Sequence, residues 1–257
     1  MKIALLADIH GNEIALEAVL NDIEQRGGVD AYWILGDLVA LGYAPIKVLE
    51  RLVRLPNGRF IRGNTERYTL TRDRPSPSRQ DVKENWDLLP TMIEVEGSFS
   101  WTLGAITSTG WLDWLRDLPL DFETTLPDGT QVLAVHASPG RDDSHGFKPT
   151  SSQSDAVKLL AGCTADLICV GHTHYAVDMR VGQQHVVNPG SVSNPHRDTD
   201  GRASYSIIHA AKTGYTVTHH RVAYDLRRVG ELLAAIGHPS AAYLNRTYLW
   251  EGWESKD

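Results

Sequence analysis

Short apolar segments that each stop at a polar residue recur through the first quarter of the chain. Their pattern predicts strands over 2–7, 31–35 and 59–62 and helices over 13–25 and 45–55. Strands that alternate with helices in this way favour a parallel sheet in an α/β protein. Ligands of open parallel sheets bind beyond the carboxyl ends of the strands. We therefore expect the chemistry where these strands stop, at residues that include Asp8, Asp37 and Asn64.

The segment 67–119 breaks this alternation. Residues 71–80 are polar and contain two prolines, which indicates a loop. Residues 81–117 look largely helical and carry several tryptophans. The segment is a helical cap or insertion beside the site, a contact between copies of the chain, or a covered region whose tryptophans are ordinary core. Periodicity does not choose between these interpretations.

Strands return beyond residue 120. The pattern predicts strands over 121–126, 131–135, 166–170, 185–187, 203–209 and 215–221, then helices over 225–236 and 241–250. A turn signal at 127–129 joins the first two of these strands as an antiparallel pair. The 257 residues are enough for a large core. We predict a single domain over 1–257, with 67–119 as a helical cap or insertion.

Charge and cysteine content narrow the partners and the compartment. The formal net charge of -7 argues against binding to long nucleic acid, which requires a basic surface. No apolar run reaches the roughly 18 residues that span a bilayer, and the first run is too short for a signal peptide. Cys163 and Cys169 are expected to be core thiols and not a disulfide. These features favour a cytoplasmic protein that contacts no membrane; its oligomeric state stays open.

Polar side chains with metal-binding potential stand where five of the predicted strands end. The pieces are Asp8-Ile9-His10, Gly36-Asp37, Gly63-Asn64, His136 and Gly171-His172-Thr173-His174. Such a mixed set of nitrogen and oxygen donors suits Mn, Fe, Zn or similar ions better than Ca or Mg. Two neighbouring ions also need a bridging ligand, and a carboxylate with two oxygens can fill that role.

Each piece alone also has a plainer interpretation. Asp8 and His10 could be a buried hydrogen-bonded pair, and His136 could be structural. The dipeptides Gly36-Asp37 and Gly63-Asn64 are common turn sequences. The ordered occurrence of the whole set at strand ends favours a metal site.

These ordered blocks, with Glu66 two residues after Asn64, resemble the calcineurin-like metallophosphoesterases, most closely their small bacterial and archaeal phosphodiesterase branch. The resemblance covers roughly residues 1–66 and 130–220. It implies an α/β fold in which two mixed sheets pack as a sandwich flanked by helices, in four layers α/β/β/α, with a helical insertion. It also implies that Asn188-Pro189-Gly190-Ser191 buttresses the site.

The resemblance implies two divalent metal ions, which could be Mn, Fe, Zn, Co or Ni. One ion would be held by Asp8, His10, Asp37 and His174, and the other by Asp37, Asn64, His136 and His172. Asp37 would bridge them, and we assign the catalytic roles to Asp37, Asn64 and His136. In this hypothesis the ions activate a water that attacks a phosphate ester directly. A small phosphorylated substrate is compatible with the acidic chain because the ions supply local positive charge.

The block Gly63-Asn64-Thr65-Glu66 departs from the family pattern. Many members have a histidine after the asparagine that protonates the leaving alkoxide, and Thr65 cannot do so near neutral pH. Loss of such an acid typically costs ~10²–10⁴-fold for a poor leaving group. Good leaving groups, such as aryl oxides or pyrophosphate, need the acid less. Glu66 could fix the tautomer of a metal-binding imidazole, or it could interact favourably with the positive end of a helix dipole.

Several side chains are candidates for substrate binding. Arg62 and Arg67 flank Asn64 and either clamp phosphate or form surface salt bridges. His145, His196 and Arg197 lie on predicted loops and either reach the site or remain solvent-exposed.

The combined features predict a metal-dependent hydrolase of phosphate esters. Three functional alternatives stay open. The first is a phosphodiesterase or nucleotide hydrolase, which the absent acid at position 65 favours. The second is a phosphomonoesterase or protein phosphatase, with diadenosine polyphosphate hydrolysis between the two. The third is a scaffold that binds partner proteins without catalysis.

Overall fold

The computed structural model describes residues 1–71, 73–193 and 201–248. Its first sheet has five strands in the order β10-β9-β1-β2-β3. They are β1 (Lys2–Leu6), β2 (Ala31–Ile34), β3 (Gly58–Phe60), β9 (Ala203–Ala211) and β10 (Gly214–Val222). The first three are parallel, whereas β9 and β10 form an antiparallel hairpin on the other side of β1. The sheet is therefore mixed.

The second sheet also has five strands, in the order β4-β5-β6-β8-β7. They are β4 (Asp121–Thr125), β5 (Gln131–Val135), β6 (Leu167–Cys169), β7 (Ala176–Val181) and β8 (Gln184–Pro189). The central strands β5, β6 and β8 are parallel, and the edge strands β4 and β7 are antiparallel to their neighbours. Both sheets thus place several carboxyl strand ends side by side.

Side-chain alternation along β1 divides the core into layers. Ile3 and Leu5 point toward the second sheet and pack with its apolar residues, such as Val132 and Leu167. Ala4 and Leu6 point the opposite way, toward the helices. This alternation is the period of two that any strand imposes on its side chains. Both faces of β1 are covered, and every residue of the strand after Lys2 is apolar and buried.

Nine α-helices of the described residues surround the sheets. They are α1 (Glu13–Gln25), α2 (Pro45–Leu52), α3 (Asn64–Leu70), α4 (Arg79–Glu84), α5 (Leu89–Ser108), α6 (Leu112–Arg116), α7 (Gln153–Leu159), α8 (Leu226–Ala235) and α9 (Ala241–Tyr248). Helices α1 and α2 pack on the first sheet, and α7 packs on the outer face of the second. The four-layer α/β/β/α sandwich predicted above is therefore confirmed.

The segment 67–119 forms helices, including a short 3-10 turn over Trp86–Leu88, and its tryptophans do not share one environment. Trp111 and Trp114 are half-buried and meet edge to face, with ring centroids 5.7 Å apart. Trp86 is 70% exposed. The ordinary-core interpretation therefore holds for some of these side chains and not for Trp86.

Three elements were not predicted: α3, β7 and α7. Strand β7 carries an alternating pattern, in which Val177 and Val181 are buried and Asp178 is exposed, so a signal was present. Helix α7 is only seven residues long and buries Ala156 alone, so it carries too little apolar repetition to be recognised. Helix α2 ends at Leu52, earlier than the predicted boundary.

The structure also bears on the cysteines and on membrane insertion. Cys163 and Cys169 are free thiols; Cys169 is buried in β6, as predicted, whereas Cys163 is only half-buried. Among the described residues, no helix combines the length and the apolar character that a membrane span requires. The cytoplasmic location stays a prediction.

Candidate metal centre

The carboxyl ends of five strands from both sheets meet at one edge of the sandwich. Asp8 and His10 follow β1, and Asp37 follows β2. His136 follows β5, and the loop after β6 carries His172 and His174. Asn64 begins α3 directly after β3. All seven predicted ligands therefore lie on neighbouring loops, which we call the ligand cluster.

Two compact groups of carboxylates and imidazoles form the centre of the cluster. One contains Asp8, His10 and His174, and the other contains Asp8, Asp37 and His136. The Nε2 atoms of His10 and His174 are 3.2 Å apart, and Nε2 of His174 is 3.4 Å from Oδ1 of Asp8. In the second group, Nε2 of His136 is 3.4 Å from Oδ1 of Asp37.

Both carboxylates lie between the two groups. Asp37 Oδ2 is also 3.8 Å from His10 Nε2, so its two oxygens face imidazoles on opposite sides. Asp8 Oδ1 is 3.9 Å from His136 Nε2 in addition to its contact with His174. Each carboxylate therefore has the placement that a bridging ligand requires.

Asn64 and His172 complete the second side of the cluster. The Asn64 side-chain oxygen lies 3.0 Å from His136 Nε2 and 2.9 Å from His172 Nδ1. One amide oxygen is thus shared by two ring nitrogens. The structure brings together all seven residues that the sequence singled out as ligands.

Backbone carbonyls fix the tautomers of three imidazoles. His10 Nδ1 lies 3.1 Å from the Ala40 carbonyl oxygen, and His136 Nδ1 lies 2.6 Å from that of Leu35. His172 is reversed, with Nε2 2.8 Å from the Ser144 carbonyl oxygen and Nδ1 turned inward. A ring N–H that donates to a carbonyl leaves the other nitrogen as a lone pair, as is usual for metal-binding histidines.

The chemistry of this donor set fits divalent cations. Imidazole nitrogens, an amide oxygen and carboxylate oxygens converge at distances of 2.9–3.4 Å, and in their neutral forms the imidazoles direct lone pairs into the same space. Such a convergence of acceptors is unfavourable unless a positive charge lies at its centre. The residues present are therefore suited to hold the metal ions that the sequence predicts.

Electrostatics support this interpretation. Burial alone would raise the pKa of Asp8, but His174 and His136 hold it below its ordinary value. Burial opposes the charged form of His136, yet Asp37 and Asp8 raise its pKa to about 10. Burial lowers the pKa of His10 and of His172, so these imidazoles are neutral at neutral pH. The buried carboxylates thus favour positive charge at the centre.

The backbone at the cluster is held in an unusual conformation. Five ligand residues have a positive φ, between 48° and 70°: Asp8, His10, Asp37, His172 and His174. Residues other than glycine rarely adopt this left-handed region, and such strain collects at functional sites. The strain aims each side chain inward after its strand has ended.

Thr65 and Glu66 hold the second strand end against α3. The Thr65 hydroxyl donates a 2.9 Å hydrogen bond to Asp37 Oδ1, and the Thr65 amide donates another of 2.9 Å. Glu66 is fully buried and accepts from the amides of Gly63, Asp37 and Leu38. The Gly63 amide is at the N-cap of α3, whereas the Asp37 and Leu38 amides lie in the loop after β2, so Glu66 joins the helix start to that loop through backbone amides instead of orienting an imidazole.

Gly63 must lack a side chain for the strand ends to approach this closely. A Cβ atom at Gly63 would lie 2.1 Å from Asp37 Oδ1. The hydrogen bond of Thr65 to Asp37 was not expected from sequence, although the place of Thr65 in the block was a signal that it lies at the site.

The block 188–191 supports the cluster through hydrogen bonds, as predicted. Asn188 Nδ2 donates to the Gly171 carbonyl at 2.6 Å and to the Thr173 hydroxyl at 3.2 Å. The Ser191 hydroxyl donates to the Asp8 carbonyl at 2.9 Å. These contacts fix the loops that carry His172, His174 and Asp8.

The candidate substrate-binding residues fall into different places. Arg67 donates from Nε to both oxygens of buried Asp142, at 3.0 and 3.1 Å. Arg62 Nε lies 3.3 Å from Asp142, close enough for an ion pair but without hydrogen-bond geometry. The salt-bridge alternative thus describes both arginines. His145 is exposed and lines a separate groove with Arg141, whereas His196 and Arg197 lie outside the described residues.

A cavity of ≈ 130 Å³ opens directly onto the ligand cluster. One side consists of cluster residues and Thr65. The other side, which we call the apolar wall, consists of Leu41, Tyr68, Pro75, Val95, Phe99 and Tyr243. Metal ligands and apolar side chains therefore face each other across one space.

Comparison with known proteins identifies the family. Residues 1–213 match the model of the calcineurin-like phosphoesterase superfamily domain. The chain belongs to this family. An uncharacterized protein of Methanocaldococcus jannaschii is 30% identical, over 89% of this chain and 90% of its own length. The predicted family is therefore confirmed, and metal dependence is a property of that family.

Solved structures show the same fold. A hypothetical protein from Pyrococcus horikoshii matches 98% of this chain and 99% of its own, with a TM-score of 0.77 and 20% identity. A metallophosphoesterase from Sphaerobacter thermophilus matches 95% and 98%, with a TM-score of 0.71 and 24% identity.

A third kind of similarity covers less of each chain. A symmetrical bis(5'-nucleosyl)-tetraphosphatase from Paracidovorax citrulli is 29% identical, over 53% of this chain and 44% of its own length. This chain therefore aligns with less than half of that enzyme.

Proposed function

We propose that this protein hydrolyses phosphodiesters or phosphoanhydrides with good leaving groups, using two divalent metal ions. The observation that carries the proposal is the convergence of seven donor side chains from both sheets at one edge of the sandwich, where five of them line one cavity. Two ions held there would supply Lewis-acid activation of a water and neutralise phosphoryl charge. Asp8, His10, Asp37 and His174 would hold one ion; Asp37, Asn64, His136 and His172 would hold the other.

Thr65, the residue after Asn64, determines which phosphate esters the site can hydrolyse. The Thr65 hydroxyl hydrogen is already donated to Asp37, and a hydroxyl is too weak an acid to protonate a leaving alkoxide. Its role is to hold the Asp37 carboxylate in place. A leaving group that departs as a stable anion, such as an aryl oxide or a phosphate, does not need the missing proton.

Similarity to tetraphosphatases supports inclusion of phosphoanhydrides. A dinucleoside tetraphosphate has phosphate leaving groups, which suit a site without an acid at position 65. We therefore propose that dinucleoside polyphosphates are hydrolysed as well as diesters and better than alkyl monoesters. Phosphomonoesterase activity and a non-catalytic scaffold remain outcomes of the test.

The test is hydrolysis by metal-stripped protein to which Mn, Zn, Fe or Mg is returned. Bis-p-nitrophenyl phosphate, p-nitrophenyl phosphate and diadenosine tetraphosphate are compared at equal concentration. The proposal expects metal-dependent cleavage of the diester or the tetraphosphate in preference to the monoester. Preference for the monoester would indicate a phosphatase, and bound metal without cleavage of any of the three would indicate a scaffold.

A leaving-group series tests the absence of an acid more sharply. Aryl methyl phosphodiesters that differ only in the pKa of the phenol should show kcat falling steeply as that pKa rises. A rate independent of the phenol pKa, at a rate-limiting chemical step, would mean that another residue protonates the leaving group.

A further inference from the structure

The apolar wall lies opposite the ligand cluster and has no role in holding metal. Its side chains come from α3, α5, α9, the loop after β2 and the loop between α3 and α4. Val95 and Phe99 are almost fully buried, whereas Leu41 and Tyr243 are half-buried. The wall therefore presents apolar surface to whatever lies against the cluster.

The wall is held rigidly. Phe99 meets Tyr68 edge to face, with ring centroids 5.8 Å apart. The Tyr68 hydroxyl donates a short hydrogen bond to Asp143, and the guanidinium carbon of Arg74 lies 5.4 Å from the centre of the Phe99 ring. A wall fixed in this way binds a ligand without first having to be ordered.

Leu41 is the least expected member of the wall. Its φ is 71°, so a branched apolar side chain occupies a left-handed position that glycine or asparagine would adopt with less strain. The adjacent Ala40 carbonyl holds His10. The same short loop thus orients a cluster imidazole and projects an apolar side chain into the cavity.

The size of the cavity limits its occupant. Its ≈ 130 Å³ is close to the ~150 Å³ of an apolar protein cavity that binds benzene. It is well below the ~300 Å³ at which pockets begin to enclose whole drug-sized ligands. One ring or a similarly small apolar group can contact the wall, while the rest of a larger substrate must lie outside.

We propose that the apolar wall is a specificity pocket for one planar or apolar substituent on the phosphorus of the substrate, with Leu41 as a specificity-determining residue. This inference rests on the proposed function, since the phosphoryl group would lie at the ligand cluster. It names the substrate class more narrowly, as phosphate esters that carry an aromatic ring or base adjacent to the phosphate.

The experiment measures binding, so that it does not depend on turnover. Phenylphosphonate and methylphosphonate each carry one substituent, and their affinities for the manganese-loaded protein are compared by calorimetry. We expect phenylphosphonate to bind at least ~10-fold more tightly, as an apolar pocket discriminates by added carbon groups. In Leu41→Gly and Leu41→Asn the ratio should fall below ~3-fold, chiefly through weaker phenylphosphonate binding.

Ile93→Ala is the matched control. Ile93 lies on α5, which also carries Val95 and Phe99, but it is 59% exposed and does not line the cavity. Its removal should leave the ratio at the wild-type value. Equal affinity of the two phosphonates, or an unchanged ratio in both Leu41 variants, would overturn the inference.

The same samples are assayed with the three substrates of the functional test. Selective phenylphosphonate binding without cleavage of any substrate would contradict the proposed function while leaving the pocket in place. Cleavage without selectivity between the phosphonates would contradict the pocket alone. The two failures are therefore distinguishable.

Discussion

The ligand cluster and the apolar wall face each other across one cavity but are built in different ways. The cluster consists of loops that begin where central strands of both sheets end, and backbone hydrogen bonds fix those loops. The wall consists of side chains from outer helices and from two loops, and its Tyr68 and Phe99 are fixed by a ring contact, a hydrogen bond to Asp143 and the guanidinium of Arg74. The sheets thus set the chemistry, while the outer helices set what can approach it. We expect changes in the cluster to act on metal and rate, and changes in the wall to act on selectivity.

The largest effect should follow from Asp37→Asn. This carboxylate faces His10 on one side and His136 on the other, and loss of its charge would remove favourable interaction with both proposed cations. We expect kcat to fall by ~10³-fold or more, with weaker metal binding. Rates on bis-p-nitrophenyl phosphate and metal content by elemental analysis test this. Near-normal turnover would exclude Asp37 as a bridging ligand.

Gly63→Ala should disrupt the cluster without changing any ligand. The new Cβ would meet Asp37 Oδ1 at 2.1 Å, so the carboxylate or α3 must move. We expect kcat to fall by about 10²-fold, as for other small misplacements of reacting groups. Unfolding in urea should show a loss on the order of 2 kcal/mol.

Gly104→Ala provides the matched control for that change. A Cβ at Gly104 in α5 meets no atom within 4 Å, and alanine favours a helix by roughly 0.5–1 kcal/mol over glycine. This variant should be slightly more stable and fully active. Equal behaviour of the two variants would show that the approach of Gly63 to Asp37 is unimportant.

Thr65→Val should have an intermediate effect on the cluster. It removes the hydroxyl donor to Asp37 but keeps the side-chain shape and the amide donor. A hydrogen bond to a charged group contributes roughly 1.5–3 kcal/mol, so we expect about a tenfold loss of kcat and weaker manganese binding. Thr65→Ser keeps the donor and should remain close to wild type in both measurements. A normal Thr65→Val enzyme would remove Thr65 from the site.

The smallest effect should arise on the wall side, at His238. Its ring contacts that of Trp101 of α5 in a tilted arrangement, with ring centroids 4.6 Å apart, and the nearby Ser240 hydroxyl donates to the Glu94 carbonyl, so this turn fixes α9 against α5. Burial lowers the pKa of His238 from 6.5 to about 4. The unfolded chain therefore binds the proton more tightly, and stability present above pH 6.5 is lost as the pH falls toward 4.

His238→Asn removes this titration and keeps an acceptor for the Ser240 amide. At pH 7.5 the variant should be less stable because the contact with Trp101 is lost. Between pH 6.5 and 4 the wild type should lose on the order of 2 kcal/mol more than the variant. The urea midpoints of both proteins are measured across this pH range and compared. The cluster histidines titrate alike in both proteins, so their contribution cancels in the comparison. Parallel pH curves would contradict the assignment.

The two regions also differ in how far the sequence reveals them. Asp8, His10, His172 and His174 come directly after apolar strands, and strand ends of neighbouring parallel strands must lie together. Short local patterns therefore predicted the strands and the position of each ligand, whereas the two-sheet sandwich was implied by the family resemblance. The sequence did not predict the left-handed backbone or the hydrogen bond of Thr65 to Asp37, because both depend on atoms from two strand ends at once.

The wall could not be predicted in this way. Leu41, Phe99 and Tyr243 are far apart in the sequence, and each looks like an ordinary core residue. Their meeting depends on how helices pack over the sheet, which no local period encodes. The same reason explains why Arg67 was considered a phosphate clamp, since Asp142, its partner, is distant in sequence.

The left-handed backbone at five ligands has a consequence for attempts to improve this protein. Each of these residues stores on the order of 1 kcal/mol that the surrounding loops must contain. Glycine at such a position would relax the chain while it removed a metal ligand, so thermal robustness and chemistry are in direct trade-off there. Selection for heat resistance alone would erode the centre first. Sturdier variants should be sought in the outer helices, where no such conflict exists.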